Sequence, residues 1–219
     1  MTVKIAIKTE DDPAFIVLVF AEKFRRFTSS KDKQAKLLAV NGCFALSFSD
    51  GQSLTITAKP AKGNRKDIYL ERGVSKSACP TIHINSEKPD ASPRIQGLWR
   101  HPILTMKVGT LLQSNKNDIE SLAGEFWLWA KSDNACPGNL TVNIIDMDKT
   151  LHFTNERSSD ALTISGNAIH ILEIFSGEGI LVLKALSGAV TVDATTRQIA
   201  EFSRLNITYM TGWGADNES

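Results

Sequence analysis

The chain has 219 residues, and its 25 Lys and Arg residues nearly balance its 24 Asp and Glu residues, for a formal net charge of +1. This balance argues against a dedicated nucleic-acid binder, which needs a basic surplus to displace counterions. The apolar fraction of 42% is ordinary for a globular protein, and a length near 200 residues predicts one or two domains. The longest apolar run covers residues 14–21, whereas a transmembrane helix needs about 20 apolar residues.

The first residues show no cationic segment followed by an apolar stretch and a small-residue cleavage site, so we expect a cytoplasmic protein without a secretory signal. Cys43, Cys79 and Cys136 are too few and too far apart to indicate a disulfide framework, and we expect three reduced thiols. There is no CxxC pair, and the histidines show no metal-ligand spacing. The sequence therefore predicts neither a metal nor a cofactor.

Two helices are predicted at the start of the chain. Over residues 13–27 the apolar positions recur at steps of three and four, as on one face of a helix, at Val17, Phe20, Phe24 and Phe27. Asp12 can cap this helix, and Pro13 suits its first position. A second helix is predicted over residues 31–40, where Asn41-Gly42 would end it.

The period of the apolar pattern then changes to two, which predicts strands. Four short alternating segments, around residues 44–48, 54–58, 68–70 and 81–85, indicate an antiparallel meander with one face on a core. Residues 94–108 are apolar without this alternation, which favours two short helices broken near Pro102. Within them, Trp99-Arg100-His101 can place a cation and an imidazole at the mouth of a pocket.

The second half follows a similar order. We predict a strand at 126–129, then three alternating strands, two helices, a further strand and a closing helix, over residues 140–144, 151–153, 162–164, 167–175, 180–187, 189–192 and 196–210. Two sequons, at Asn139 and Asn206, fall inside apolar periodic segments and are interpreted as accidental.

The two halves also align at a nearly constant offset. The strand at residues 81–85 matches that at 161–165 at an offset of 80, Gly109 matches Gly188 at 79, and residues 118–122 match 198–202 at 80. Few residues are identical between the aligned halves, so the alternative to a duplication is chance similarity of two segments with the same element order. The constant offset favours an internal duplication.

The second half resembles the sterol carrier protein type 2 family. The resemblance rests on an alternating strand, a short helix ending at Gly177, an apolar helix ending eleven residues later at Gly188, a strand and a closing helix. It covers residues 139–210 well and residues 43–122 weakly. Both glycines suit left-handed helix ends.

This resemblance implies an α+β fold with mostly antiparallel sheets, helices on one face and an apolar tunnel for acyl chains, sterols or related lipids. We expect two tandem sterol-carrier-like units, over residues 1–122 and 123–219. The helix at 180–186 is apolar around almost its whole circumference, as expected for a buried helix or one shared between core and ligand. We therefore predict a ligand cavity in the second unit, with walls that include Leu172, Phe175, Leu181, Leu183, Leu186, Phe202 and Leu205.

The predicted function is binding or carriage of an apolar small molecule, without nucleic acid or a transmembrane segment. No nucleophile-elbow, P-loop or dinucleotide-binding motif is present, and no catalytic residue is predicted. His170 and Glu173 are three apart on a predicted helix, where a surface ion pair is the ordinary outcome. The alternatives are an isomerase or cyclase that acts on an apolar substrate in the same cavity, and an interaction module that lacks a cavity. The oligomeric state is left open.

Overall fold

The protein is an α+β chain of two compact units, Met1–Ser114 and Asn115–Ser219. The computed structural model describes residues 4–74, 79–84, 94–97, 101–113, 119–156 and 159–212, without the side chains of 109–113. Each unit contains a mixed sheet packed with helices. No helix within the described ranges is long and apolar enough to cross a membrane.

Unit 1 contains a six-stranded sheet. Its strands are β1 (Lys4–Thr9), β2 (Gly42–Phe48), β3 (Ser53–Ala61), β4 (Arg65–Arg72), β5 (Thr81–Ile84) and β6 (Arg94–Gln96). Their order across the sheet is β1-β4-β3-β2-β5-β6. Its helices are α1 (Phe15–Ser29), α2 (Lys31–Ala39) and α3 (Pro102–Gln113).

The antiparallel order β2-β3-β4 confirms most of the predicted meander. The prediction is wrong for β5, which pairs in parallel with β2, with Ala45 opposite Thr81. Alternation fixes which face of a strand is buried but not which strand lies beside it. Strand β1 was not predicted from the sequence, although Ile5 and Ile7 alternate there and pack against the core of this unit.

The first helix is confirmed, and the apolar face that predicted it is buried. It begins at Phe15 after Ala14, which provides no side-chain cap, so the predicted capping by Asp12 is wrong. The first of the two short helices predicted over residues 94–108 is wrong, because Arg94–Gln96 form strand β6. Pro102 begins α3, where its missing N–H costs no helical hydrogen bond. Gly109 lies inside α3, whereas Gly188 follows a helix in the second unit, so these two glycines do not occupy equivalent places.

Unit 2 contains a four-stranded sheet. Its strands are β7 (Asn139–Ile144), β8 (Lys149–Thr154), β9 (Ala161–Gly166) and β10 (Val190–Asp193). Their order across the sheet is β10-β9-β7-β8. Its helices are α4 (Ile119–Ala130), α5 (Ala168–Ser176), α6 (Leu181–Leu186) and α7 (Thr196–Thr211), with a 3-10 turn at Ile145–Met147. From residue 139 onward, the elements follow the predicted order.

The predicted strand at residues 126–129 is wrong, because these residues belong to helix α4. Four alternating residues are too few to distinguish a strand from a buried helix. Over the whole element the buried positions follow the helical repeat, at Leu122, Ala123, Phe126, Trp127 and Ala130. The predicted unit boundary after residue 122 falls inside this helix, whereas the compact units divide between residues 114 and 115.

Four strands of each unit share one topology. In unit 1 the order β3-β2-β5-β6 has antiparallel, parallel and antiparallel neighbours. The order β8-β7-β9-β10 in unit 2 has the same sequence of directions. This agreement supports the predicted duplication, which remains a prediction.

Cys43 and Cys79 form a disulfide, so the expectation of three reduced thiols is wrong. Their sequence separation of 36 equals that of the parallel partners Ala45 and Thr81, so the disulfide continues the β2–β5 register and joins Cα atoms 5.5 Å apart. The spacing of the two cysteines in the sequence does not indicate this pairing, because β2 and β5 become neighbours only through a crossover connection. Cys136 is buried in unit 2.

Candidate functional site

A cleft of about 480 Å³ opens in unit 1, between the end of α2, the start of β2 and the start of α3. Its volume falls within the range typical of small-molecule sites. The described residues that line it are Ala39, Asn41, Gly42, Cys43, Cys79, His101, Pro102, Ile103, Leu104 and Lys107.

The turn at Asn41-Gly42 shapes one wall of the cleft. Gly42 has a φ of +112°, a conformation that glycine adopts without the steric cost of a side chain. A Cβ atom at this position would lie 3.4 Å from Cδ2 of Leu104. Glycine therefore allows the chain to leave α2, enter β2 and remain close to α3.

Two lysines complete the end of α2 beside the cleft. Lys66 Nζ donates to the carbonyl oxygens of Leu38, at 2.6 Å, and Val40. Lys107 Nζ donates to the carbonyl of Ala39 at 3.0 Å. These carbonyls lack helical partners at a C-terminus, where cations also favour the helix dipole. Burial lowers the pKa of Lys66, and the positive charge of Lys107 lowers it further.

The cleft combines apolar walls with a few polar groups. Ile103 is 65% exposed and Leu104 is half-buried, so both offer apolar surface. His101, Lys107 and Asn41 provide an imidazole, an amine and an amide. His101 therefore lies at a pocket, an arrangement that the sequence allowed but did not favour, while Trp99 and Arg100 lie outside the described residues.

The predicted wall residues in unit 2 separate into two groups. Phe175, Leu181, Phe202 and Leu205 are fully buried in one apolar core, and the half-buried Leu172 packs against it. By contrast, Leu183 and Leu186 on α6 are 57% and 80% exposed. Helix α6 thus divides its apolar side chains between the core and the solvent.

Phe126, which the sequence analysis placed on a strand, is central to this core. Its ring centroid lies 5.4 Å from those of Phe175 and Phe202 and 5.0 Å from that of Tyr209. These distances fall within the range of favourable aromatic contacts. Extending the analysis of the apolar pattern to the full length of α4 would have identified this position as part of a buried helical face.

Asn206 joins three helices of unit 2 and was also missed by the sequence analysis. It is fully buried on α7, where its Oδ1 accepts from the N–H of Leu181 at 3.0 Å. Its Nδ2 donates to the carbonyl of Ile174 at 3.1 Å. Asn206 thereby satisfies one backbone group at the start of α6 and one near the end of α5. This structural role agrees with the interpretation of its sequon as accidental.

Replacing Asn206 with leucine is expected to lower the free energy of unfolding by about 2–3 kcal/mol, because the similar volume remains but two buried backbone groups lose their partners. Urea unfolding followed by circular dichroism measures this change. The N206D variant retains an acceptor for Leu181 but as a carboxylate cannot donate to Ile174, so its deficit should be larger at pH 7 than at pH 5. A leucine variant as stable as the original chain contradicts this role.

The predicted pairing of His170 with Glu173 is confirmed, with 3.4 Å between His170 Nδ1 and Glu173 Oε2. Lys184 also pairs with Glu173, which the sequence did not indicate, and this ion pair links α5 to α6. Gly177 has a φ of 75° at the left-handed end of α5, as predicted. Within the described parts of the chain, no cluster of His, Cys, Asp and Glu side chains could hold a metal ion.

No family model matches the chain, and no curated protein matches it. One solved structure to which it is similar is titled "UbiJ-SCP2 Ubiquinone synthesis protein". The similarity has 19% sequence identity and a TM-score of 0.28, and it covers 49% of this chain and 96% of that chain.

Proposed function

We propose that the protein binds an apolar small molecule and that the cleft of unit 1 holds it. The observation that supports this proposal is a concavity of about 480 Å³ with walls that are largely apolar. Covering Ile103 and Leu104 removes apolar surface from water, which provides the driving force. The polar groups at His101, Lys107 and Asn41 are few, as in sites where polar contacts orient a mainly apolar ligand.

We also propose a more limited role for the predicted residues of unit 2. Four of them are enclosed in the core, so an apolar ligand there would contact Leu183 and Leu186, with Leu172 beside the core. These two exposed leucines are the predicted wall residues that a ligand can contact while the core stays closed. The cleft of unit 1 remains the better supported site because it is concave.

The binding proposal predicts that Ile103→Glu raises the Kd for the uncharged fluorescent dye Nile red by about tenfold or more. A carboxylate in the apolar wall loses hydration when the dye covers it. Met106→Glu is the matched control, because Met106 is on the same helix and is 68% exposed but is not among the cleft-lining residues. Its Kd should stay within about twofold of the original, since it adds the same charge outside the cleft.

Dye fluorescence titration measures both Kd values, and thermal unfolding confirms that both variants are folded. An equal rise in Kd for the two substitutions would show that dye binding depends on the net charge of the protein and not on the cleft. An unchanged Kd in Ile103→Glu would contradict the assignment of the cleft.

A further inference from the structure

The Cys43–Cys79 disulfide lies in the wall of the cleft. Both cysteines line the cleft, and both are only half-buried. A disulfide with a purely structural role in a core would be enclosed by packed side chains. This disulfide instead borders a space large enough for a small molecule. Attack on a disulfide depends on access to one of its sulfur atoms.

The same cleft contains basic groups. Lys107 lines it with its ammonium group 3.0 Å from the carbonyl oxygen of Ala39, and His101 lines it with an imidazole. None of the described residues that line the cleft is acidic. A nearby ammonium favours a thiolate over a thiol and attracts an anionic reactant.

Backbone hydrogen bonds, in addition to the disulfide, hold the surrounding strands together. Strands β2 and β5 remain paired from Ala45 with Thr81 to Phe48 with Ile84. Directly beside the disulfide, the N–H of Ala45 also donates to the carbonyl of Pro80 at 2.9 Å. The sulfur atoms can therefore exchange partners while backbone hydrogen bonds hold the two strands together.

We propose that this disulfide is a site of thiol–disulfide exchange with a small thiol that carries an anionic group. The thiolate of the small molecule attacks one cysteine sulfur, a new S–S bond forms, and the Cys43–Cys79 bond breaks. The electron pair of the broken bond leaves on the other cysteine as a thiolate, which the basic groups of the cleft stabilise. The product is a mixed disulfide, and no further oxidant or reductant is required. This activity goes beyond apolar ligand binding and does not depend on it.

The test compares three small thiols at equal thiolate concentration, using the full-length oxidised protein. They are 3-mercaptopropionate, which is anionic, 2-mercaptoethanol, which is neutral, and cysteamine, which is cationic. Each rate is divided by the rate of the same thiol with bis(2-hydroxyethyl) disulfide, which removes differences in intrinsic reactivity. Mass spectrometry after an acid quench measures the mixed disulfide, and peptide mapping locates it at Cys43 or Cys79.

We expect the normalised rate of the anionic thiol to exceed that of the cationic thiol by about threefold or more in low salt, where charge attraction is least screened. Lys107→Gln should abolish most of this preference, because the amide is polar but carries no charge. Lys36→Gln is the matched control, since Lys36 is an exposed lysine of α2 outside the cleft, and it should retain the preference.

Three results would overturn the proposal. The first is a disulfide that reacts only in denaturant, which would show that the cleft gives no access to the sulfur atoms. The second is a folded-state reaction with equal normalised rates for the three thiols, and the third is a charge preference that survives Lys107→Gln. Because Nile red binding is measured separately, failure here and failure of the binding proposal are distinguishable.

Discussion

Replacing Phe126 with alanine is expected to lower the free energy of unfolding of unit 2 by about 3–5 kcal/mol. The ring is fully buried and contacts Phe175, Phe202 and Tyr209, which come from helices α5 and α7. Its removal loses the transfer free energy of the side chain and leaves a cavity that three other aromatic rings cannot fill without moving. Helix α4 would lose three of its aromatic contacts with α5 and α7.

Leu128→Ala is the matched control for this substitution. Leu128 belongs to the same helix and is 73% exposed, so its truncation should change the free energy of unfolding by no more than about 0.5 kcal/mol. Urea unfolding monitored by circular dichroism measures both variants. Similar losses in the two variants would contradict the placement of residues 126–129 on a helix with one buried face.

A second large effect is expected at only one of two leucines of α6, measured as the loss in the free energy of unfolding. Leu181→Ala is expected to cost about 2–5 kcal/mol, the range for a buried leucine. Leu183→Ala should cost less than about 1 kcal/mol, because more than half of that side chain already contacts water. The two positions are 0% and 57% exposed and belong to the same short helix, so they provide a comparison with matched chemistry.

Thermal and urea unfolding of both alanine variants test this difference. If unit 2 binds a ligand on α6, Leu183→Ala should also change which chain length of fluorescent fatty acid binds best. The same substitution should change the stability of the protein only a little. A large loss of stability in Leu183→Ala would place that side chain in a packed core. It would remove the proposed ligand-accessible part of unit 2.

Local patterns in the sequence predicted much of the fold. The recurrence of Phe20, Phe24 and Phe27 identified the buried face of α1, and these rings are at most 8% exposed. From residue 139 onward, alternation located the strands, and the left-handed backbone at Gly177 and Gly188 agrees with the predicted helix ends. These features depend on neighbours within a few residues, so periodicity and backbone preference reveal them.

The features that the sequence did not reveal depend on contacts between distant residues. The disulfide requires β2 and β5 to be neighbours after a crossover, and nothing near Cys43 or Cys79 indicates that pairing. The bonds of Lys66 to the end of α2 join residues 26 and 28 positions apart. The sequence allowed His101 to lie at a pocket but did not favour it, and the two cysteines and Lys107 join it there only through the tertiary fold.

The proposal that this protein binds an apolar small molecule is tested by mass spectrometry of an organic extract of the purified full chain. We predict an apolar compound that copurifies with the original chain and with Met106→Glu but is strongly depleted in Ile103→Glu. Incubated again with the protein, the compound should be recovered with its mass unchanged, as expected for binding or carriage. Recovery of a chemically altered compound would favour an enzyme. Binding would be contradicted by equal amounts of apolar compound from both glutamate variants, or by no apolar compound from the original chain.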